Sequence, residues 1–324
     1  MRFVETAAIV LIAGVCLHGN DRLVFVHAQR YTMGTMFDIA AYHRSGPQAE
    51  RAIDRALAEV VRLDHVLSHY EPDSDLSRLL HTGRTGAVSV DPALYDLLGR
   101  SVEISRRSGG SFDVTIGALV RLWQAAQAEG RAPGPEAIAE AKRCVGYGRV
   151  QLTPPDSVRI DSSCLLIDFG GIGKGYAVER AIRMLQEAGI EHAVVNAGQS
   201  SIAAIGHQPE RAGWLVDLGV RATEAGEIVL RDASISTSRQ ARIPLLGGEH
   251  GYGDIIDPAR GRPVASSMTA IVRMASATNA DALSTTLLLM PIEQGKRLLE
   301  TFPGAGALWL SDTGRILASH GQVK

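Results

Sequence analysis

Residues 165–182, LLIDFGGIGKGYAVERAI, constrain the fold of this chain more than any other stretch. Apolar residues run up to Asp168, four glycines (Gly170, Gly171, Gly173 and Gly175) surround Lys174, and a helical pattern follows. Glycine is favoured where another group must come close to the backbone. A strand, a glycine-rich turn and a helix together present backbone N–H groups and a helix N-terminus to phosphate. Two familiar versions fail on spacing. Asp168 stands where a Walker loop needs glycine, and Gly175 where it needs Ser or Thr. A dinucleotide fingerprint built on Gly171 and Gly173 needs a third glycine where Tyr176 stands. On the turn alone, a phosphate site and a plain tight turn with a solvated lysine are equally supported.

A second constellation favours the phosphate reading. In SATNADALSTTLLLM, residues 276–290, Asp281 and Thr285 are four apart on a helical pattern, so carboxylate and hydroxyl share one face. Magnesium takes one or two hard protein oxygens and completes its shell with water and substrate phosphate. This pair, with a carbonyl from the glycine turn, meets that need. The competing reading makes Asp281 a first-turn acid behind an Asn279 cap, complementing the helix dipole.

Elsewhere composition mainly excludes. The chain has 324 residues, 45% of them hydrophobic, enough for one large domain or two small ones. A net charge of −2 gives no sequence-wide field for nucleic acid, and no basic run carries interleaved aromatics. Cys16, Cys144 and Cys164 are far apart, with no CxxC and no histidine at zinc-ligand spacing, which argues against a structural zinc site. Arg2 and the apolar run 7–17 suit an export signal and are too short to span a bilayer. Val26-His27-Ala28 offers one cleavage site, and Ala13-Gly14-Val15-Cys16 offers a lipoprotein box with an unfavourable valine. Export is preferred over the plainer reading of a first strand, which Glu5 supports. The division is therefore a leader over 1–28 and one domain over 29–324.

Periodicity predicts a strand over 31–42 and a helix over 48–67. Asp91-Pro92 caps a helix that Gly109-Gly110 stops, and another helix covers 116–128. Two short strands flank Pro154-Pro155-Asp156, a third ends at Asp168, and a helix runs from the glycine turn to Gly189. Short strands between 191 and 238, two helices near 279–302 and the strands GALWL and RILAS follow. Because strands and helices do not alternate strictly, the fold class is α+β, a single large domain of mixed sheets flanked by helices.

In their order along the chain, seven segments resemble the ApbE-type FAD:protein FMN transferases, a family of exported bacterial flavinylating enzymes with a T-fold-related architecture. YTMGTMFDIAAY is similar to the family's Met-Gly-Thr strand, and LSHYEPDSDLSRL to its Ser-x-Tyr segment. GGSFDVTIGALVRLW looks like its Phe-Asp-x-Thr-x-Gly segment, and IDFGGIGKGYAVE like its glycine–lysine turn. VVNAG, IIDPARGRPV and ADALSTTLLLM resemble its Asn-x-Gly strand, Asp-Pro turn and Ala-Asp-Ala helix.

The resemblance implies that FAD is the substrate, that Mg²⁺ grips its diphosphate, and that a threonine of a target protein attacks the phosphorus on the FMN side, releasing AMP. Asp281 and Thr285 would be metal ligands, joined by the carbonyl of Gly171, with Gly173 as the other candidate. Met33, Ser68, His69, Tyr70, Asp113 and Lys174 match positions that line the FAD pocket. Outside that frame Met33 reads as strand core, Tyr70 as a surface ring and Asp113 as a cap acid. The implied place of action is the periplasm or the envelope, with the membrane reached only through a lipid on Cys16.

The chain departs from the family's pattern in places. Gly198 is followed by Gln199 and Ser200 where the family has glycine and an acid, Arg239 replaces a glycine, Arg260 replaces a threonine, and Asp254 stands where the family has histidine. If that histidine removes the attacking hydroxyl's proton, Asp254 becomes the base, a role that calls for burial or neighbouring carboxylates. Two alternatives stay open: an FAD diphosphatase, and a non-catalytic FAD-binding envelope protein.

Overall fold

The structure, a computed structural model, describes residues 14–15, 23–218, 228–240 and 253–323. Most of the candidate leader, with Cys16, lies outside the described residues. The fold is α+β. Its centre is an antiparallel sheet of nine strands whose spatial order follows the chain: β1 (Gly14–Val15), β2 (Val24–Thr32), β3 (Thr35–His43), β4 (His192–Ala197), β5 (Ser201–Ile205), β6 (Ala233–Arg239), β7 (Thr269–Met274), β8 (Gly306–Leu310) and β9 (Ile316–His320). Val26 and Ala28, at one candidate leader boundary, are buried within β2.

Helices enter this meander twice. Between β3 and β4 come α1 (Gly46–Leu67), α2 (Asp75–Thr82), α3 (Pro92–Arg107), α4 (Gly117–Glu129), α5 (Pro135–Arg143) and α6 (Gly173–Glu187). Between β7 and β8 come α7 (Ala277–Thr286) and α8 (Ile292–Glu300). The main core joins the inner face of the sheet to α1, α3, α6 and α7, and a smaller cluster around Trp214, Ile235 and Ile271 covers the outer face.

Where the chain carries its own capping chemistry, sequence and structure agree. The Asp91 side chain accepts from the Ala93 N–H, Pro92 opens α3, and Gly109 and Gly110 follow its end with positive φ. Other expectations need correction. The strand expected over 31–42 is a hairpin, turning at Met33 (φ 51°) and Gly34 (φ 72°). A two-residue turn of that kind needs positive φ at both positions, which methionine does not advertise. It is held from outside, because Asp64 of α1 accepts from both the Met33 N–H and the Thr32 hydroxyl at 2.8 Å. No strand ends at Asp168: the segment is extended but joins its neighbour only through one bridge, Leu166 to Ile116. The cap of α7 is Ser276, not Asn279, so Asp281 sits in the second turn and is no first-turn acid. Cys144 and Cys164 form a disulfide between the end of α5 and the segment before the glycine turn, with Cα atoms 5.2 Å apart.

The contact of α6 with α7 positions everything that follows. A Cβ on Gly175 would lie 2.3 Å from the Ala277 carbonyl oxygen and 2.5 Å from Asp281 Cβ. Its backbone N–H donates to Asp281 Oδ2 at 2.7 Å. One turn earlier, a Cβ on Gly171 would meet the Thr285 side chain at 3.3 Å and Phe112 at 3.4 Å. The glycines thus clear space first of all for α7. Because the atoms met at Gly175 are backbone and Cβ, they cannot rotate away. Gly175→Ala is therefore expected to destabilise the fold by about 3 kcal/mol, at the upper end for overpacking, as read from the urea midpoint. An unchanged midpoint would mean that the two helices separate freely.

Candidate active site

Asp281 is buried, 3% exposed, at the end of the sheet where β4 ends and β5 begins. One oxygen takes the Gly175 N–H and the other lies 3.4 Å from the Ser236 hydroxyl, which is 2.8 Å from Ser201 Oγ. Burial pushes the carboxyl above the usual carboxylate range, while the Lys174 charge, the Gly175 N–H and the hydroxyls of Ser201 and Ser236 draw it down. Thr285 Oγ1 lies 3.0 Å from Ser238 Oγ, which is also 2.7 Å from Ser284 Oγ.

Ser236 and Ser238, two apart on a strand, thus match Asp281 and Thr285, four apart on a helix. Two strand residues span about 6.8 Å and four helical residues about 6 Å, so the two repeats stay in step. Sequence reading missed these serines, although Ser234, Ser236 and Ser238 alternate visibly in ASISTSR. The same alternation puts Thr237 and Arg239 on the other face, so Arg239, although exposed at the rim, does not sit between β6 and α7.

These groups open on a cavity of about 350 Å³ lined by Asp113, Asp168, Gly170, Gly171, Lys174, Asp254, Asp281 and Thr285, among others. Val120, Gln124 and Asp168 also line a second cavity of about 190 Å³, where His69 and Tyr70 stand, so the two adjoin. Six of the ten expected residues therefore meet in one cavity, and two line its neighbour. Met33 and Ser68 line neither. Instead, Met33 packs toward the glycine turn, its Cε 3.7 Å from where a Gly173 Cβ would stand. Ser68 shapes its own loop, with its hydroxyl accepting the Tyr70 N–H and its carbonyl accepting the Ser74 hydroxyl.

The other expected residues divide by burial. Tyr70 is 72% exposed and its ring lies 3.9 Å from that of His69. Asp113 is buried and already engaged: Oδ1 accepts from the Thr115 N–H and hydroxyl, and Oδ2 from the Tyr147 N–H. Burial raises its pKa against those donors. Asp113 thus holds the 146–147 turn as well as lining the cavity. Asp254 lines the mouth but is exposed, so the burial that its role as a base calls for is absent. Its loop is fixed by Gln240, whose amide donates to the Ile255 and Val264 carbonyls and accepts the Ile255 N–H.

The donor set suits a hard divalent cation. A buried carboxylate raised in pKa gains from a nearby positive charge, and Asp281, Thr285 and the Gly171 backbone line one wall together. The only group of three His, Cys, Asp or Glu ligands within reach of one another among the described residues, His65, Glu71 and Asp73, is exposed and elsewhere.

The ApbE family profile matches residues 33–309. A relative named FAD:protein FMN transferase from Treponema pallidum is 30% identical, covering 94% of this chain and 90% of its own length. Among solved structures, the apo flavinyl transferase ApbE of Pseudomonas stutzeri superposes with a TM-score of 0.77 at 25% identity, over 94% of this chain and 97% of that one. The ApbE protein of Thermotoga maritima gives 0.76 at 26%, over 90% and 96%. Matched from the β2–β3 turn to the penultimate strand of the sheet, the chain belongs to the ApbE family.

Proposed function

We propose that this protein is an FAD:protein FMN transferase that moves the FMN part of FAD onto a threonine hydroxyl of a second protein, with Mg²⁺ as cofactor. The observation that carries this reading is the meeting of the glycine–lysine turn with Asp281 and Thr285 in one cavity. Family membership and the adjoining cavity, which gives a two-part ligand two compartments, support it.

In this reading the threonine Oγ attacks the phosphorus on the FMN side of the diphosphate. A new P–O bond joins FMN to the acceptor, the bond from that phosphorus to the bridging oxygen breaks, and AMP leaves with that oxygen. Asp281, Thr285 and a carbonyl at Gly171 would hold Mg²⁺, which when bound supplies positive charge against the diphosphate. Lys174 adds a second cation on the same wall, and the positive end of the α6 dipole faces it, although the N–H groups of Gly170, Gly173 and Gly175 are already taken by Asp168, Phe169 and Asp281. Asp254 at the mouth takes the proton of the arriving hydroxyl.

The exposure of Asp254 supports a second reading, in which water replaces the hydroxyl and FAD is hydrolysed to FMN and AMP. AMP formed without an acceptor protein separates the two. We also propose export to the periplasm or envelope, with a lipid on Cys16. The Cys144–Cys164 bond supports an oxidising compartment, and processing at Cys16 leaves β2 whole, whereas a cut after Ala28 divides it. No helix among the described residues is long and apolar enough to cross a membrane.

Three measurements test these readings. Magnesium is expected to raise the melting temperature of the wild type but not of Asp281→Asn, which should also lose FMN transfer, followed as flavin fluorescence on the denatured acceptor. Equal magnesium stabilisation of both would remove the cation from this site. Asp254→Asn is expected to slow transfer about 10²-fold, the lower end for a general base, and unchanged transfer would reject its role. On fractionation of a diderm host, the full chain should follow the envelope and Cys16→Ser the soluble periplasm. Recovery in the cytosol would overturn export.

A further inference from the structure

Glu179 takes no part in the cavity, yet it is the most heavily bonded group between the two helices that build it. From α6 it receives the Ser276 hydroxyl at 2.6 Å, the Thr278 N–H at 3.1 Å and the Thr278 hydroxyl at 2.9 Å, all at the start of α7. Its other oxygen takes Arg100 Nη1 of α3 at 2.7 Å. Ser276 uses its hydroxyl in both directions, donating to Glu179 while accepting the Asn279 N–H as the cap of α7.

These contacts form the third rung of a ladder. Gly171 meets Thr285, Gly175 meets Asp281 and Ala277, and Glu179 meets Ser276 and Thr278. Each step is four residues forward along α6 and its preceding turn, and about four back along α7, so one face of each helix runs antiparallel to the other. The first rung rests on an absent side chain, and the second adds to one a single bond, from the Gly175 N–H to the Asp281 carboxylate. Glycine permits close approach but does not resist sliding, and a one-turn slip would carry Asp281 about 5.4 Å from its place. The third rung adds three directional, charge-assisted bonds to the one at Gly175, and a slip would break them together.

We propose that Glu179 is a positioning residue for the reaction, setting the register of α6 against α7 so that Lys174 and the glycine turn stand opposite Asp281 and Thr285. Burial pushes its carboxyl up in pKa, but the Ser276 hydroxyl, the Arg100 charge and the Thr278 donors outweigh that and hold it below its ordinary value, so it is charged when it acts. The inference rests on the cation site assigned above, and its test is chosen to separate the two.

Mn²⁺ binding to the mature chain without FAD, followed by electron paramagnetic resonance, reads the register directly. Glu179→Gln is expected to weaken Mn²⁺ about tenfold and to lower kcat for transfer while KM for the acceptor stays within about twofold. Leu299→Ala, a cavity on α8 away from this contact, should lower the melting temperature without moving the Mn²⁺ affinity. If Glu179→Gln fails to fold, Thr278→Val removes one donor and should weaken Mn²⁺ about threefold. Should Mn²⁺ bind the wild type in an Asp281-dependent way but equally well to the Glu179 and Thr278 variants, or should Leu299→Ala weaken it as much, the positioning role is wrong and the cation site stands. Absence of Mn²⁺ binding to the wild type overturns both.

Discussion

Where α6 meets α7, the Gly175 backbone lies so close to Ala277 and Asp281 that a methyl group would overlap both, and its N–H is engaged by the Asp281 carboxylate. Every other feature of the site follows from that contact. It brings the N-terminal turn of α6 against a buried acid and sets Lys174 on the same wall. It also leaves Gly171 only the gap between Thr285 and Phe112. The sheet completes the arrangement from the other side, because Ser236 and Ser238 repeat at nearly the spacing of Asp281 and Thr285.

Electrostatics explains why so many small polar groups surround one carboxylate. Removing Asp281 from water disfavours its charge, and the structure answers with a backbone N–H, two hydroxyls and a nearby lysine. That set compensates only in part, since the net shift remains upward. A buried carboxyl whose charged form is disfavoured in this way gains from a cation brought beside it, and the transfer of a phosphoryl-type group depends on neutralising charge and fixing geometry more than on covalent assistance. Fold and chemistry therefore make the same demand on α7.

Those parts of the molecule written in local chemistry were legible in the sequence. The cap at Asp91, the helix stops and the acid–hydroxyl pair on α7 all follow from residue types at fixed offsets. The parts set by tertiary partners were not. Nothing near Met33 announces a turn, because the support comes from Asp64, 31 positions away. The Cys144–Cys164 pair has no diagnostic spacing. The glycines at 171 and 175 signal in the sequence only that something comes close to the backbone, and only the position of α7 reveals that a neighbouring helix does so. Ser68 and Met33 carry the expected motif without reaching the cavity, since a motif gives order along the chain and not the direction of a side chain.

The departure at Asp254 falls where the fold is least affected by it. Gln240 holds the loop through backbone groups of Ile255 and Val264, and a Cβ on Gly253 would collide with Gln240, so the path of the chain is fixed from both sides of residue 254 without using its side chain. That side chain faces solvent. An acid there in place of an imidazole leaves the packing intact, whereas a side chain at 281 with no acceptor would strand the buried Gly175 N–H. In the proposed reading the charge-neutralising half of the site is thus tied to the core, and the proton-accepting half lies at the exposed mouth, where an incoming protein would supply the remaining surroundings. If Asp254 takes the hydroxyl's proton as proposed, acceptor docking and proton removal would be parts of one step.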